Sequence, residues 1–269
     1  MGSDRLFERV LVRPPTADLR RCVSGNPLRD TLDVERALEQ HRAYVAALEE
    51  HGIEVLKLPP LEGFPDAVFV QDTAIIAARS GKALLARFGE PSRRGEEESV
   101  GTFLAQLGLQ VERVEEPGTL EGGDVLVTDL GLVLVGLSRR TNEAGAKQLA
   151  AWLPEGVRLV EVPVLEELHL LSVLSYLGRG RLAFVPGRVG AEFLRALRAD
   201  IEFVPVPPGE AYAANMLYLG DDVVLMPAGH PRTREQLVRA GLRPVEVNVS
   251  EFWKCDGGIT CLCAPFYRL

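Results

Sequence analysis

The strongest constraint on the fold of this chain is a pattern of short apolar strands and amphipathic helices that recurs about every 50 residues. Helical periodicity occurs in five segments, and strand-like runs lie on both sides of each. Repeats of about this length are typical of propellers or arrays rather than of a single open sheet. The five predicted helices are Leu32–His51, Glu97–Leu107, Thr141–Leu153, Ala191–Arg198 and His230–Ala240.

The predicted strands include hairpins, which favour the propeller. Asp124–Thr128 and Leu132–Val135 are separated by a short turn that contains Gly131, as in a tight β-hairpin. The repeated units share a pattern but no clear sequence identity. A doubly wound α/β sheet therefore stays open as the alternative fold.

The charge and hydropathy of the chain argue against several classes of partner. The formal net charge is −8, and no run of lysine or arginine exceeds two residues, so neither nucleic acid nor an anionic membrane is expected. A cationic small molecule suits this charge better. The sequence has no apolar run of the roughly 18 residues needed to cross a bilayer, and its first residues do not resemble a secretory signal. We therefore expect a cytoplasmic protein.

The chain contains four cysteines, which we expect to be reduced thiols. A glycine pair precedes the last two cysteines and permits a tight turn close to a ligand. The turn leads into a predicted strand at Cys261–Phe266, where a partly exposed Cys261 thiol with a lowered pKa would be a nucleophile. Buried, inert thiols are one alternative, and a zinc site is another, although no C-x-x-C pair occurs. The zinc ligands considered are Cys255, Cys261 and Cys263 together with a histidine, and Cys22 is the fourth cysteine.

A cysteine nucleophile requires a base, and the chain has four histidines. His41 and His51 lie among polar residues on the first predicted helix and are interpreted as solvated surface. His230 precedes a proline at a helix start, where a structural role suffices. His169 is polar among apolar residues and leads into a strand. It is the best candidate for the base, although a buried core histidine would show the same pattern.

Two acidic loops predict a pocket for a cation. Asp66 and Asp72 flank an apolar run, while Glu121 and Asp124 surround a glycine pair just before a predicted strand. Acids in turns often serve only to form the turn. Both loops, however, lie at the same edge of consecutive units, where the loops of a propeller converge. Carboxylates gathered there would suit a delocalised cation such as guanidinium.

These segments resemble, in their order and spacing, the dimethylarginine dimethylaminohydrolase family of guanidine-modifying enzymes. The resemblance extends over nearly the whole chain, and although each motif is weak by itself, the set is specific. The motifs are PDAVFVQD at 65–72, PSRR at 91–94, EGGDVL at 121–126, GLSRRTN at 136–142, LHL at 168–170 and DGGITC at 256–261.

The resemblance implies an α/β fold, a five-bladed ββαβ propeller (the pentein fold) with a central active site, formed by one domain over residues 1–269. It implies a hydrolase that releases citrulline and an amine from an N-methylated arginine derivative, with no cofactor and no metal. Cys261 would be the nucleophile, His169 the general acid and base, and Glu121 the acid that orients the histidine. The expected partner is a small guanidino amino acid, and a homodimer is possible.

The same resemblance assigns residues to the substrate. Two neighbouring side chains would hold the guanidinium nitrogens, two arginines would bind the α-carboxylate, and one acid would lie on the α-amine side. A loop near Leu19–Asn26 would act as a lid. The residues expected to bind the substrate are Gln71 and Asp72 at the guanidinium, Arg87 and Arg140 at the carboxylate, Asp66 at the amine, and Asp256 in the motif of the nucleophile.

Two positions bear on the substrate and on the alternatives. The family usually has Glu where this chain has Gln71, which removes one negative charge from the predicted site and leaves the exact guanidine open. Arginine deiminases, the nearest alternative, typically carry Asp where this chain has Leu171. A non-catalytic binding protein of the same fold, similar to a ribosome anti-association factor, is the alternative of another class. The retained Cys261, His169 and Glu121 argue against it.

Overall fold

The computed structural model describes residues 4–164, 167–189 and 201–269. Within them the chain forms short strands linked by turns and by a few helices. The strands are β1 (Phe7–Val12), β2 (Glu54–Lys57), β3 (Ala74–Ala77), β4 (Lys82–Leu85), β5 (Gln110–Arg113), β6 (Val125–Val127), β7 (Leu132–Leu137), β8 (Arg158–Pro163), β9 (Leu174–Tyr176), β10 (Arg181–Phe184), β11 (Glu202–Pro205), β12 (Leu217–Gly220), β13 (Val223–Pro227), β14 (Arg243–Val247) and β15 (Ala264–Tyr267). The helices are α1 (Val34–Glu50), α2 (Glu96–Gln106), α3 (Glu143–Trp152), α4 (Pro231–Arg239) and α5 (Ser250–Trp253).

The strands are organised in three-strand units. In each unit an antiparallel hairpin is followed by a third strand that pairs parallel to the second. This order is seen in β3–β4–β5, β6–β7–β8, β9–β10–β11 and β12–β13–β14. The first two strands of these units are almost entirely buried, whereas the third is half-exposed. A unit therefore runs from an inner strand in the core to an outer strand at the surface.

The two ends of the chain form a fifth unit together. β15 pairs antiparallel with β1, and β1 pairs parallel with β2, which is the same order as in the other units. β15 also pairs parallel with β3, so this unit and the next share a six-stranded sheet. A doubly wound parallel sheet does not describe this topology, because every unit contains an antiparallel pair. Closure of the units into a propeller stays a prediction.

In four of the units a helix, one each of α1 to α4, supplies the crossover between the second and third strands, because a parallel connection is too long for a tight turn. The predicted start of α1 is confirmed: the Asp33 carboxylate accepts hydrogen bonds from the backbone N–H groups of Glu35 and Arg36. Gly52, at φ +75°, ends this helix in a left-handed conformation that suits glycine. The predicted helix Ala191–Arg198 lies outside the described residues. No helix in the described ranges combines the length and apolarity needed to span a membrane.

The predicted surface position of His41 is wrong. His41 lies on the buried face of α1, with its ring edge-on to Phe252 and 5% exposed. Of its polar sequence neighbours, Glu39 and Arg42 are exposed, whereas Gln40 is buried and hydrogen-bonded to Asn248 and Ser250. Burial lowers the pKa of His41 to about 4, so this histidine is neutral at neutral pH.

A 3-10 turn precedes the first strand of every unit. The predicted strands Asp124–Thr128 and Cys261–Phe266 therefore begin too early, since their first residues belong to these turns and not to the strands. Polar residues occupy the turns because the backbone leaves the sheet there and its hydrogen-bonding groups need other partners. The five turns are Val70–Thr73, Gly122–Asp124, Leu170–Ser172, Pro208–Ala214 and Thr260–Leu262.

The expectation of four reduced thiols is also wrong. Cys22 and Cys255 form a disulfide across a sequence separation of 233 residues, and both are buried. Cys261 and Cys263 are free thiols. The bonded Cys255 cannot supply a thiolate to the zinc site considered above. Composition could not reveal this pairing, because it depends on contact between distant segments.

Titration of the unfolded protein should find two reactive thiols without reductant, from Cys261 and Cys263, and four after reduction. Cys22→Ser should lower the free energy of unfolding by about 2–5 kcal/mol, because the bridge constrains the unfolded chain. The double variant Cys22→Ser/Cys255→Ser is the control, since a dithiol reductant should destabilise only the parent. Four thiols titrating before reduction would rule out the bridge.

Candidate active site

The site lies where the five 3-10 turns meet. Successive turns contact one another, and polar side chains join them. Asp72 Oδ1 accepts a hydrogen bond from the Gly123 N–H at 3.0 Å, and Asp124 Oδ1 accepts one from the Leu170 N–H at 2.9 Å. The carboxylates of one turn thus satisfy the backbone of the next. This arrangement gathers residues that are far apart in the sequence.

The turns surround a cavity of about 260 Å³. Its volume is at the small end of the range for ligand pockets. Three apolar residues, Phe69, Leu171 and Ala211, form part of the wall. The predicted site residues that line the cavity are Asp66, Asp72, Arg140, His169, Asp256 and Cys261.

Glu121 lies behind the cavity wall and contacts the ring of His169. Its Oε2 is 2.9 Å from His169 Nε2, and Glu121 is fully buried. The other ring nitrogen, Nδ1, lies 4.0 Å from Asp72 Oδ1. Burial acts to lower the pKa of His169, but the charges of Asp72 and Asp124 and the hydrogen bond that the ring donates to Glu121 outweigh it and raise the pKa to about 9. The imidazole is therefore protonated at neutral pH.

Two arginines compensate the buried acids. Arg140 Nη1 lies 3.2 Å from Glu121 Oε2, and Arg93 Nη1 lies 2.7 Å from Asp72 Oδ2. Arg93 also forms an ion pair with Glu96 at 2.8 Å, and all of these groups are buried. Without such partners, buried carboxylates would be protonated or would destabilise the fold. The acids Asp72, Glu96 and Glu121 are therefore paired with cations rather than isolated.

Cys261 belongs to the turn before β15 and is partly exposed in the cavity. Its expected lowered pKa is not found. Burial and then the negative charge of Asp72 raise the pKa of the thiol to about 12, against opposing contributions from Gly258, Arg93 and Thr260. A cation near the sulfur would favour the thiolate and lower this pKa.

The predicted lid is fastened over the cavity. The Val23 N–H donates to both oxygens of Asp66, at 3.0 and 3.3 Å, and the Ser24 hydroxyl donates to Asp256 Oδ2 at 2.7 Å. The Cys22–Cys255 disulfide joins the same two segments covalently. Two predicted substrate-binding acids are thus also anchors for the lid.

Two residues predicted to bind the substrate do not line this cavity. Arg87 donates a hydrogen bond to the Gly118 carbonyl at 3.2 Å and pairs with Glu116. Gln71 is buried, and its Oε1 has no hydrogen-bond partner. In this structure the side chain of Arg87 is therefore turned to Gly118 and Glu116, and its predicted role at the carboxylate stays a prediction. Arg93 is the arginine from the neighbouring motif that does line the cavity.

Sequence reasoning also missed residues of the fourth turn. Tyr212 and Asn215 line the cavity, as do Glu167 and Arg188, which form an ion pair with each other. Arg93 had a visible signal, since it lies within the PSRR motif. Asn215 had none, because an asparagine between alanines and a strand reads only as a turn residue.

Three of the buried groups have the composition of a metal site. One ligand atom each from Asp72, Glu121 and His169 lies within 4.8 Å of the others, and no other such group occurs among the described residues. In this structure the arginines and the Glu121–His169 hydrogen bond already engage these atoms. A metal would have to displace those contacts.

Comparison with known proteins gives consistent matches. The family model described as N,N dimethylarginine dimethylhydrolase, eukaryotic, matches residues 28–268. The N(G),N(G)-dimethylarginine dimethylaminohydrolase of Pseudomonas aeruginosa is 38% identical over 97% of this chain and 100% of the relative. The enzyme of the same name from Streptomyces coelicolor is 41% identical over 97% and 98%. An uncharacterised protein of Aeropyrum pernix is 44% identical over 99% and 98%.

Solved structures are similar over the same extent. A cysteine-to-serine variant of the Pseudomonas aeruginosa enzyme in complex with citrulline has a TM-score of 0.88 and 36% identity, covering 97% of this chain and 100% of the other. The N-terminal domain of ArgZ, an arginine dihydrolase from cyanobacteria, has a TM-score of 0.86 at 24% identity, covering 97% and 99%. At that identity the second likeness concerns the fold alone.

His169 should make the stability of the protein depend on pH. Its folded pKa of about 9 exceeds the ordinary value of 6.5, so its contribution is complete below 6.5 and is lost as pH rises through 9. Across this interval, the free energy of unfolding of the parent should fall relative to His169→Asn by on the order of 3 kcal/mol. Urea unfolding of both proteins measures this difference.

The matched control is His41→Asn, which also replaces a buried histidine. The pKa of His41 is lowered to about 4, so its contribution to the free energy of unfolding changes only below pH 6.5. The difference between the parent and His41→Asn should therefore stay constant from 6.5 to 9. A constant difference for His169→Asn as well would contradict the raised pKa of His169.

Proposed function

Because the chain belongs to the dimethylarginine dimethylaminohydrolase family, and is therefore a hydrolase of carbon–nitrogen bonds in linear amidines, we propose that it converts an N-methylated arginine to citrulline and an amine. The observation that carries this proposal is the Glu121–His169 hydrogen bond beside Asp72, in the wall of the cavity that also contains Cys261. A cation bound there would have a nucleophile, a protonated imidazole and a carboxylate within one small space.

The first step needs a thiolate at Cys261, so the thiol loses its proton to solvent as the substrate binds. The guanidinium of the substrate lies against Asp72, and its positive charge offsets the negative field that raises the pKa of the thiol. The thiolate attacks the guanidinium carbon and forms a carbon–sulfur bond. Protonated His169 transfers its Nδ1 proton to the departing nitrogen, the carbon–nitrogen bond breaks, and a thiouronium adduct remains on Cys261.

The second step uses the same groups in reverse. Neutral His169 now accepts a proton from water, and the hydroxide attacks the carbon of the adduct. The carbon–sulfur bond breaks, Cys261 leaves as a thiolate, the remaining hydroxyl proton passes to solvent, and the ureido product is citrulline. Glu121 keeps the ring oriented through Nε2 in both steps, so that Nδ1 carries every proton transfer.

The other end of the substrate is an α-amino acid. Arg140 and Arg93 provide the positive charge for its carboxylate, and Asp66 provides the negative charge for its amine. All three residues line the cavity. Asp256 contacts the substrate from the segment fastened to the lid. This assignment adds Arg93 to Arg140 and the predicted Arg87 as a cation for the carboxylate.

The apolar wall of the cavity favours a guanidinium that carries an N-methyl group over one whose nitrogens all need charged partners. Leu171 and Phe69 offer apolar surface near the catalytic groups, and Leu171 stands where arginine deiminases typically carry an acid. Unmethylated arginine is the second candidate, because the small cavity volume of about 260 Å³ favours the smaller substrate.

We also propose that the five three-strand units surround the cavity as blades of a propeller. The support is the repeated strand order, the burial of the first strand and exposure of the third strand in the units, and the contacts between the turns that precede the first strands. In this arrangement the cavity lies on the axis.

Cys261→Ser should fold like the parent and release no citrulline, because a hydroxyl is a far weaker nucleophile than a thiolate. In the parent, chloroacetamidine, a cationic alkylating reagent, should modify Cys261, as identified by mass spectrometry. The matched control is Cys263→Ser, which replaces a buried thiol that does not line the cavity. Modification and inactivation at Cys263 instead would refute the assignment.

A panel of arginine, mono- and dimethylated arginines and agmatine, assayed for release of the ureido product, tests the substrate. The parent should prefer a methylated arginine. Leu171→Asp should reduce that preference by roughly 10-fold or more, because a methyl group in an apolar site contributes about 1–3 kcal/mol. Gln71→Glu, a change outside the cavity lining, should leave the relative rates unchanged. Agmatine as the best substrate would contradict recognition of an α-amino acid.

A further inference from the structure

Asn215 joins the turn of the predicted base to the turn of the predicted nucleophile. It follows the Pro208–Ala214 turn, is 5% exposed and lines the cavity. Its Nδ2 donates to the Leu171 carbonyl and to the Thr260 hydroxyl, both at 2.9 Å. Its Oδ1 accepts the Thr260 N–H at 2.8 Å. One amide thus bridges residues two positions from His169 and one position from Cys261.

The same turn holds the loop of the nucleophile at a second point. The Tyr212 hydroxyl donates to the Gly257 carbonyl at 2.8 Å. Between the two contacts, Gly258 packs so closely that an added Cβ would lie 2.5 Å from Asn215 Oδ1. The glycine pair therefore lets the loop approach the amide. The path of the chain into Cys261 is set by the fourth turn.

We propose that Asn215 is a positioning residue that fixes the Cys261 sulfur relative to the His169 ring. The proposal rests on the function proposed above, in which these two groups act on one carbon. Within the described parts of the chain, Asn215 is the one side chain that hydrogen-bonds to both turns. It hydrogen-bonds to neither the sulfur nor the imidazole, so its effect on the reaction passes through the backbone.

The chemistry of this position calls for an amide. The site offers one carbonyl, one hydroxyl and one N–H, which require a side chain with two donor hydrogens and an acceptor. An aspartate would keep the acceptor, lose both donors and set a negative charge against the Leu171 carbonyl. That charge would also raise the pKa of the neighbouring Cys261 thiol further. An alanine would leave the Thr260 N–H unsatisfied and the two turns unlinked.

The test compares Asn215→Ala and Asn215→Asp with the parent in steady-state kinetics and in alkylation of Cys261 by iodoacetamide across pH. A displacement of reacting groups by about 1 Å lowers a rate by roughly 10²-fold. We expect kcat to fall by about that factor while KM changes little, because the acids and arginines that bind the substrate are intact. In Asn215→Asp, the pH midpoint of alkylation should also move upward.

Asn142→Ala is the matched control. Asn142 caps α3, accepts hydrogen bonds from Gly145 and Thr119, and does not line the cavity. The Asn142→Ala variant should lower the melting temperature, as we also expect for Asn215→Ala. Its kcat and its alkylation profile should be those of the parent. A kcat for Asn215→Ala within twofold of the parent, or an equal loss in Asn142→Ala, would overturn the proposal.

A second pair keeps the test informative if the Asn215 variants do not fold. Thr260→Val removes the hydroxyl that accepts from Asn215, whereas Thr260→Ser keeps it. Thr260→Ser should retain more kcat than Thr260→Val, and equal losses would count against the bridge. A parent that releases no product from any guanidine refutes the proposed function. The alkylation profiles of Cys261 still decide the role of Asn215.

Discussion

The buried hydrogen bond between Glu121 and His169 is the interaction on which the rest of the site depends. A carboxylate and an imidazolium can stay charged in the interior only with a partner for each remaining charge. Arg140 forms an ion pair with Glu121, and Asp72 lies near the other ring nitrogen of His169. Arg93 then compensates Asp72. Each buried charge in this cluster thus requires a neighbouring residue of the opposite charge.

The fold brings these residues together because the same local structure, a 3-10 turn, recurs in every unit. Each unit begins with a 3-10 turn whose backbone is not yet part of a sheet, and in three of the units a polar side chain from another turn accepts one of its N–H groups. Asp72, Asp124 and Asn215 each accept a backbone N–H of another turn. The same polar groups that the folding of the turns requires are therefore available at the cavity. The same side chains therefore stabilise the turns and form the site.

Much of this was predictable from sequence, for identifiable reasons. The spacing of apolar residues indicated the repeated units, and the motifs around Glu121, His169 and Cys261 indicated one cavity. Individual orientations were not predictable. Arg87 and Arg93 both flank a strand and a turn, and only packing decides which one lines the cavity. The disulfide and the burial of His41 likewise depend on contacts across many residues, which local patterns cannot report.

The Cys22–Cys255 bridge gives the molecule a topology that differs from that of an ordinary linear chain. Everything from residue 22 to residue 255 is a covalent ring, and the strands outside it, β1 and β15, pair with each other. A single backbone cut at any surface loop within the ring would open it without separating the fragments. Such loops are therefore natural positions for new termini, at which the chain could be circularly permuted.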